Sequence, residues 1–485
     1  MADKPQNISY LPTDGLSYDP SDPIYWSEAA LDKEVERVFE VCHGCRMCFK
    51  YCDAFPNLFD LIDNKYDGDV TQLTSVEKDG VMDDCFQCKL CEVQCPYTPR
   101  DEHEFQLDFP KLVHRYQAQR AHHHGASLRD LALRDPDRTA AMARASFGVA
   151  NKMNRVAVHR WFMEKVIGIH RDKQLPDFAS ETFDRWATST GRASEPPGGE
   201  VVLFQTCYVQ HNEPQVGRDT VEVFERNGID IRCRREFQCC GMPAWESGDL
   251  EGVRAKIAHN VELLEPYVDA GAKIVAINPT CSMMLRREWP ELAPKQDRER
   301  VQKIADAVHD PGEYLWKIRK QPRFNTDFAS KPKAENFAYH VPCHLRAQAV
   351  GFKGRDLIKK FLGVKPDTVM ECCGHDGTYA MKVESFETSK KVGKKSFDEM
   401  KEAESKLWAT DCPLAAIQFE QHAGVKPLHP MSILARAYRG ESFETKAAIK
   451  VERGKRHLPI LGPEDERPTS EKPSEAESTS KDKDA

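Results

Sequence analysis

The sequence predicts a chain of mixed α+β and α/β class: a helical N-terminal domain, a helical bridge, then two pseudo-symmetric α/β domains. Three observations predict it. After residue 200, short apolar runs alternate with stretches of helical periodicity, the pattern of a parallel sheet with helical crossovers. That alternation occurs twice, with thiols at matching points: Cys207, Cys239-Cys240-Gly241 and Cys281, then Cys343, Cys372-Cys373-Gly374 and Cys412. The first quarter carries two dense cysteine runs separated by a stretch of helical rather than alternating pattern.

The bulk numbers narrow the function. A length of 485 residues allows about three domains. A net charge of -8 leaves no basic footprint for nucleic acid. No apolar run reaches the roughly 18 residues of a membrane-spanning helix, and the start, Met-Ala-Asp-Lys-Pro-Gln, lacks a secretory signal. The expected location is the cytoplasm, with the inner face of the cell membrane as the peripheral alternative. Seventeen cysteines in that compartment call for something other than structural disulfides. They sort into four groups of four, and Cys233 is left over as a small buried hydrophobe.

The elements follow in order. Residues 1–30 lack periodicity and read as an extended lead-in. Leu31, Val35, Val38 and Phe39 recur at helical spacing, so a helix over 31–41 delivers the first cysteine run. That run is Cys42-x-x-Cys45-x-x-Cys48-x-x-x-Cys52; the second is Cys85-x-x-Cys88-x-x-Cys91-x-x-x-Cys95-Pro96. Three thiolates two residues apart wrap one face of an iron–sulfur cube, and the fourth points to the neighbouring cluster. Cys42, Cys45, Cys48 and Cys95 are therefore assigned to one 4Fe-4S cluster, and Cys85, Cys88, Cys91 and Cys52 to the other. Zinc sites pair two Cys-x-x-Cys units instead. Asp53 stands where bacterial ferredoxins have proline. Residues 31–110 are thus expected to form a helical ferredoxin-type domain.

Residues 111–195 read as a helical bridge and linker. Pro110 opens a helix, and His122-His123-His124 before Gly125 reads as a solvated helix end. The segment Ala145 to Ile169 interleaves Phe147, Trp161 and Phe162 with Lys152, Arg155 and Lys165, which suits either a membrane surface or packing on the next domain. Residues 194–199 read as a linker.

Residues 200–310 form the first cysteine-rich domain, with strands at 201–204, 229–231 and 274–277. Residues 336–440 repeat the plan, with strands at 337–340, 368–370 and 407–409. Residues 311–335 connect the two. Because each thiol-bearing turn follows a strand, the thiols gather at the carboxyl edge of each sheet, where open α/β sheets place ligands. Residues 455–485 are polar and expected to be disordered.

Two metal sites follow: Cys207, Cys239, Cys240 and Cys281, and Cys343, Cys372, Cys373 and Cys412. Adjacent cysteines flank a cluster more readily than one small ion, and the following glycine lets the backbone turn close by. A buried thiol set, a redox-active dithiol or zinc are the alternatives.

Here the sequence resembles a known family, the CCG (cysteine-rich) domain iron–sulfur proteins, among them heterodisulfide reductase and related electron-transfer proteins. The resemblance runs through the two cysteine runs, His211-Asn212-x-Pro214-Gln215, Cys240-Gly241-x-Pro243, Leu285-Arg286-x-Glu288-x-Pro290, His340-x-Pro342-Cys343-His344, Gly377-Thr378-Tyr379 and His429-Pro430. It implies an electron-carrying subunit fed by a flavoprotein dehydrogenase of glycerol-3-phosphate or 2-hydroxy-acid type and delivering to a quinone or other acceptor. The family's domain ends in Cys-Pro-x-Cys; here the copies read Asn278-Pro279-Thr280-Cys281 and Cys412-Pro413-Leu414-Ala415, each one thiol short. Five-thiolate clusters are therefore not expected; four thiolates suffice for a cube or a zinc ion. His211 and His344 read as hydrogen-bonding residues rather than ligands. No Gly-x-Gly-x-x-Gly fingerprint occurs, so no flavin or NAD site is expected in this chain. The other readings are a thiol/disulfide reductase and a scaffold or redox sensor.

Overall fold

Helices are the regular elements of the described residues before Val201. The computed structural model of the chain describes residues 8–12, 17–193 and 198–445. Most of the linker expected at 194–199 and all of the tail expected over 455–485 lie outside those residues.

Ser27 caps the first helix, Glu28–Cys45, its hydroxyl accepting from the Ala30 amide. Leu31, Val35, Val38 and Phe39 are buried along one face, as their spacing requires. The helix runs past residue 41 because nothing breaks it before Arg46, which takes the left-handed cap conformation at φ 56°. Cys42 and Cys45 therefore sit on the last turns of this helix, beyond its expected end at residue 41. Helices Ala54–Lys65 and Ser75–Asp83, the latter opened by a Thr74/Glu77 capping box, close the domain around Phe39, Phe55 and Phe109. The lead-in is not loose where it is described. A short turn at Pro23–Trp26 buries Tyr25, whose carbonyl accepts from Arg115 and Gln119.

Pro110 stands in the first turn of helix Phe109–His124, which ends at Gly125 with His122, His123 and His124 exposed. Helices Leu128–Leu133, Pro136–Ala145, Val149–Met153, Ala157–Phe162 and Phe183–Ser189 follow it in the bridge. The segment 145–169 buries Ile169 but leaves most of its apolar side chains exposed: Phe147 is 97 % exposed and Trp161 45 %.

The first sheet has strands β1 Val201–Phe204, β2 Ile231–Cys233, β3 Lys273–Ala276 and β4 Val308–His309 in the order β2-β1-β3-β4. All its pairs are parallel. The second has β5 Asn336–His340, β6 Lys365–Val369 and β7 Trp408–Thr410 in the order β6-β5-β7, also parallel. The thiol-bearing strands thus have the same order in both sheets. Strand β2 lies two residues later than expected, which puts Cys233 on it, 1 % exposed. Crossover helices Pro214–Arg226 and Leu250–Asp269 serve the first sheet; Lys353–Leu357, continued to Leu362, and Phe386–Glu402 serve the second. Helix Pro430–Arg439 packs on Pro214–Arg226, and one apolar core runs from Leu203 and Val275 to Phe337, Tyr339 and Met431.

Candidate metal centres

The cysteine runs interleave. Cys42 and Cys45 end the first helix, Cys48 follows in the next turn, and Cys95 closes helix Leu90–Gln94. These four line one cavity, walled by Phe55, Leu107 and Phe109. Burial, then Cys48, Cys95 and Cys45 in turn, push the Cys42 thiol well up. The other foursome interacts in the same way. Burial raises Cys52, followed by Cys85 and Cys88; burial raises Cys91, followed by the same two. The sets touch where the Cys48 thiol donates to the Cys91 carbonyl at 3.8 Å.

The first paired site gathers after β1, β2 and β3. Cys239 accepts from Cys207 and Cys240, which holds it well below the usual thiol range, and Cys240 is also hydrogen-bonded to Cys281. Its backbone is pinned. The Cys239 amide donates to Asp137 Oδ2 at 2.7 Å, and Trp289 Nε1 donates to the Cys240 carbonyl at 2.9 Å. The second site follows β5, β6 and β7. Cys343 is hydrogen-bonded to Cys372, whose sulfur accepts from the Gly374 amide at 3.2 Å. Burial pushes Cys373 well up, with Cys372 and Cys412 adding to it, and takes Cys412 up to about 12.

Each pair is followed by a glycine with positive φ, 95° at Gly241 and 72° at Gly374. At Gly374 a Cβ meets the Ser389 carbonyl oxygen at 2.0 Å. The close approach that demands glycine there is to a neighbouring helix.

The groups also meet one another. Cys343 is hydrogen-bonded to Cys88 of the second foursome, and Cys412 feels Cys281 of the first paired site. His344 sits at the junction. Burial lowers it to about 4, so the ring is neutral. Nε2 donates to the Gln87 carbonyl at 3.0 Å, and Nδ1 accepts from the Thr280 hydroxyl at 2.9 Å. One imidazole thereby ties the residues beside Cys88, Cys281 and Cys343. His211 is engaged likewise, by Arg144 at 2.8 Å and Asp137 at 3.1 Å.

The positions of the missing fifth thiols have other occupations. Asn278 caps helix Pro279–Met283 through the Thr280 amide, and Ala415 is 2 % exposed in the core.

Sequence reading passes over the residues that hold this centre together. Lys89, between Cys88 and Leu90, is 1 % exposed and forms an ion pair with Glu288, itself 2 % exposed. Lys173 reaches from the bridge to Gln418 Oε1 at 2.5 Å, beside Cys373, and burial pulls it down to about 7. Glu246 occupies the space a side chain at position 377 needs and accepts from the Thr378 amide at 3.0 Å. No local pattern marks these partners, since each lies far away in sequence. The one signal is the oddity of a lysine inside a cysteine run.

The donor sets fit iron–sulfur clusters. Thiolates gathered this closely repel one another, and iron supplies the compensating positive charge. Among the described residues, His375 Nδ1 and Nε2, Asp376 Oδ2 and Gln87 Oε1 are buried without a hydrogen-bond partner, all close in sequence to the thiols. Orphaned polar atoms at such a place mark where a polar group belongs. Also among the described residues, no three His, Cys, Asp or Glu side chains converge as on a single metal ion.

Comparison with known proteins agrees with this arrangement. Residues 201–286 and 337–420 match the cysteine-rich domain family, and residues 41–98 match a 4Fe-4S dicluster domain. The chain is 27 % identical over 313 residues to one of the subunits of the anaerobic glycerol-3-phosphate dehydrogenase of Escherichia coli (strain K12), covering 64 % of this chain and 77 % of that one. It is 32 % identical over 191 residues to lactate utilization protein A of Bacillus cytotoxicus, covering 38 % and 75 %. To lactate utilization protein A of Bacillus thuringiensis (strain Al Hakam) it is 30 % identical over 220 residues, covering 44 % and 87 %.

Proposed function

From the premise that the chain belongs to the cysteine-rich-domain iron–sulfur family that includes lactate utilization protein A, we propose that it is the electron-transfer subunit of a dehydrogenase. It takes electrons from a flavoprotein partner acting on glycerol 3-phosphate or a 2-hydroxy acid and passes them to a quinone or other acceptor. The partner class rests on the names of the relatives. In this reading Cys42, Cys45, Cys48 and Cys95 hold one 4Fe-4S cluster, and Cys52, Cys85, Cys88 and Cys91 the second. Cys207, Cys239, Cys240 and Cys281 hold a third iron–sulfur cluster, and Cys343, Cys372, Cys373 and Cys412 a fourth. Such clusters accept and release single electrons.

The observation that carries the reading is the continuity of the thiol groups. Cys48 meets Cys91, Cys88 meets Cys343, and Cys412 faces Cys281. The chain's own residues keep that row in register. His344 and the Lys89–Glu288 pair fix the junction, where Cys88 and Cys281 are buried and Cys343 and Cys412 half-buried. The disulfide-reductase and sensor readings draw no support of their own from this arrangement.

The test is anaerobic isolation of the native assembly. A flavoprotein is expected to accompany the chain, and addition of its substrate is expected to bleach the iron–sulfur absorption. A chain isolated anaerobically with no flavoprotein or other redox partner contradicts the proposal.

A further inference from the structure

Four lysines are buried among the described residues: Lys78, Lys89, Lys173 and Lys256. Three of them meet carboxylates. Lys78 pairs with Asp32 and Glu36, Lys89 with Glu288, and Lys256 with Asp135 and Asp137. Lys173, 1 % exposed, forms no ion pair with any described residue. A buried ammonium is costly unless an anion compensates it. The anions at hand are the thiolates of the second paired site, and the charge that favours the ammonium is that of Cys373.

The chain is built to hold Lys173 there. The buried Arg160 guanidinium donates to the carbonyls of His170, Arg171 and Lys173, which fixes the loop that carries it. From the other side, Gln421 on helix Pro413–Ala423 accepts from the Gln174 amide and donates to the Asp172 carbonyl. The ammonium donates to Gln418 Oε1 at 2.5 Å, and Gln418 Nε2 donates to Ser389 Oγ at 3.0 Å. The Ser389 hydroxyl in turn donates to the Gly374 carbonyl at 2.5 Å, one residue past Cys373. The other groups of this pocket oppose that charge little. Burial lowers His375 and His422, both of which feel the lysine, so their rings are neutral. Burial pushes the Asp376 carboxyl, which acts on Cys373, well up, toward its neutral form.

We propose that Lys173 is the countercharge of the second paired-cysteine site and raises the reduction potential of the iron–sulfur cluster held by Cys343, Cys372, Cys373 and Cys412. The inference deepens the electron-transfer reading, on which it rests for the presence of that cluster. An electron arriving from the flavoprotein partner adds one negative charge to the site and breaks no bond. A fixed ammonium in a buried place stabilises that state over the oxidised one. At the first paired site the corresponding lysine, Lys256, acts on Cys239 but is shared by Asp135 and Asp137. The lone cation thus distinguishes the second site from the first.

The test is a mediated reductive titration of the full-length, anaerobically prepared chain, followed by electron paramagnetic resonance. The signal of the second paired site is the one that Cys343→Ser removes. Lys173→Met is expected to retain its iron and to shift the one-electron equilibrium of that site toward the oxidised state roughly tenfold, a fall of about 60 mV. Gln418→Met, which removes the hydrogen-bond acceptor and leaves the charge, is expected to move it by roughly half as much or less. An unchanged potential in Lys173→Met overturns the inference alone, with the electron-transfer reading left standing. An equal fall in both variants also overturns it, giving the lysine a structural role. If Lys173→Met loses the iron of the site, Lys173→Arg decides. Iron and potential kept near those of the parent uphold the countercharge; loss of iron, or the same fall in potential, overturns it. A parent chain with no reducible cluster at the second paired site overturns the electron-transfer reading of that site and this inference together.

Discussion

Cys88, from the second ferredoxin-type run, and Cys343, from the second cysteine-rich domain, are hydrogen-bonded to each other. The two thiols belong to different candidate clusters, so the N-terminal domain and the second α/β domain meet sulfur to sulfur. Cys343→Ser is expected to lower the iron content by about four per chain while the paramagnetic resonance of the reduced N-terminal clusters persists. An unchanged iron content removes Cys343 from the ligand set.

The Lys89–Glu288 pair docks the second cysteine run on the first α/β domain with both charges buried. Lys89→Met leaves Glu288 uncompensated and is expected to cost about 3–5 kcal/mol of stability. The double variant Lys89→Met, Glu288→Leu is expected to regain most of that loss, because no lone charge remains. Denaturant unfolding of the three proteins checks it; equal loss in the single and double variants contradicts it.

The two glycines that follow the cysteine pairs differ in what they avoid. At Gly241 an added Cβ comes no nearer than 3.4 Å to Val253, so Gly241→Ala loses stability mainly through its positive φ, roughly 1–2 kcal/mol. At Gly374 the same atom meets the Ser389 oxygen at 2.0 Å, and Gly374→Ala is expected to cost roughly 3 kcal/mol or more and to empty the second paired site. Parallel thermal unfolding and metal analysis compare them, and a milder effect at Gly374 than at Gly241 contradicts the geometry.

Buried His340 is one of several histidines, His344, His422 and His429 among them, whose lowering by burial makes stability depend on pH. Burial lowers it to about 4, while unfolded it titrates near its ordinary value of 6.5. The unfolded chain therefore binds the proton first, and stability that is full above about pH 6.5 is lost as pH falls toward 4. The contribution is about 3 kcal/mol. His340→Gln is expected to make that part of the stability profile shallower by its own share, the other buried histidines still contributing; an unaltered slope contradicts it.

Much of this arrangement is legible in the sequence. The Cys-x-x-Cys spacing with a displaced fourth thiol already crosses Cys95 to the first run and Cys52 to the second, and the structure brings those residues together. Strand β1 falls where its apolar run lies, and the other thiol-bearing strands within a few residues. Strand β4 escapes sequence reading because two residues, Val308 and His309, leave no periodicity to read. The first helix extends past its expected end at residue 41 through Cys42 and Cys45, tolerating Gly44 and stopping only where Arg46 takes the left-handed cap. What sequence spacing cannot carry is contact between distant segments: His344 with Gln87 and Thr280, Asp137 with Cys239, Lys89 with Glu288. The segment around Arg160 is ambiguous for a different reason: its composition suits burial and lipid equally, and the exposure of Trp161 and Phe162 is visible only in the structure.

The most direct test of the thiol row is anaerobic iron, zinc and sulfide analysis combined with a reductive titration followed by electron paramagnetic resonance. About sixteen irons per chain, with signals from both paired-cysteine sites, are predicted. About eight irons, with zinc or no metal at Cys207, Cys239, Cys240 and Cys281 and at Cys343, Cys372, Cys373 and Cys412, would contradict it.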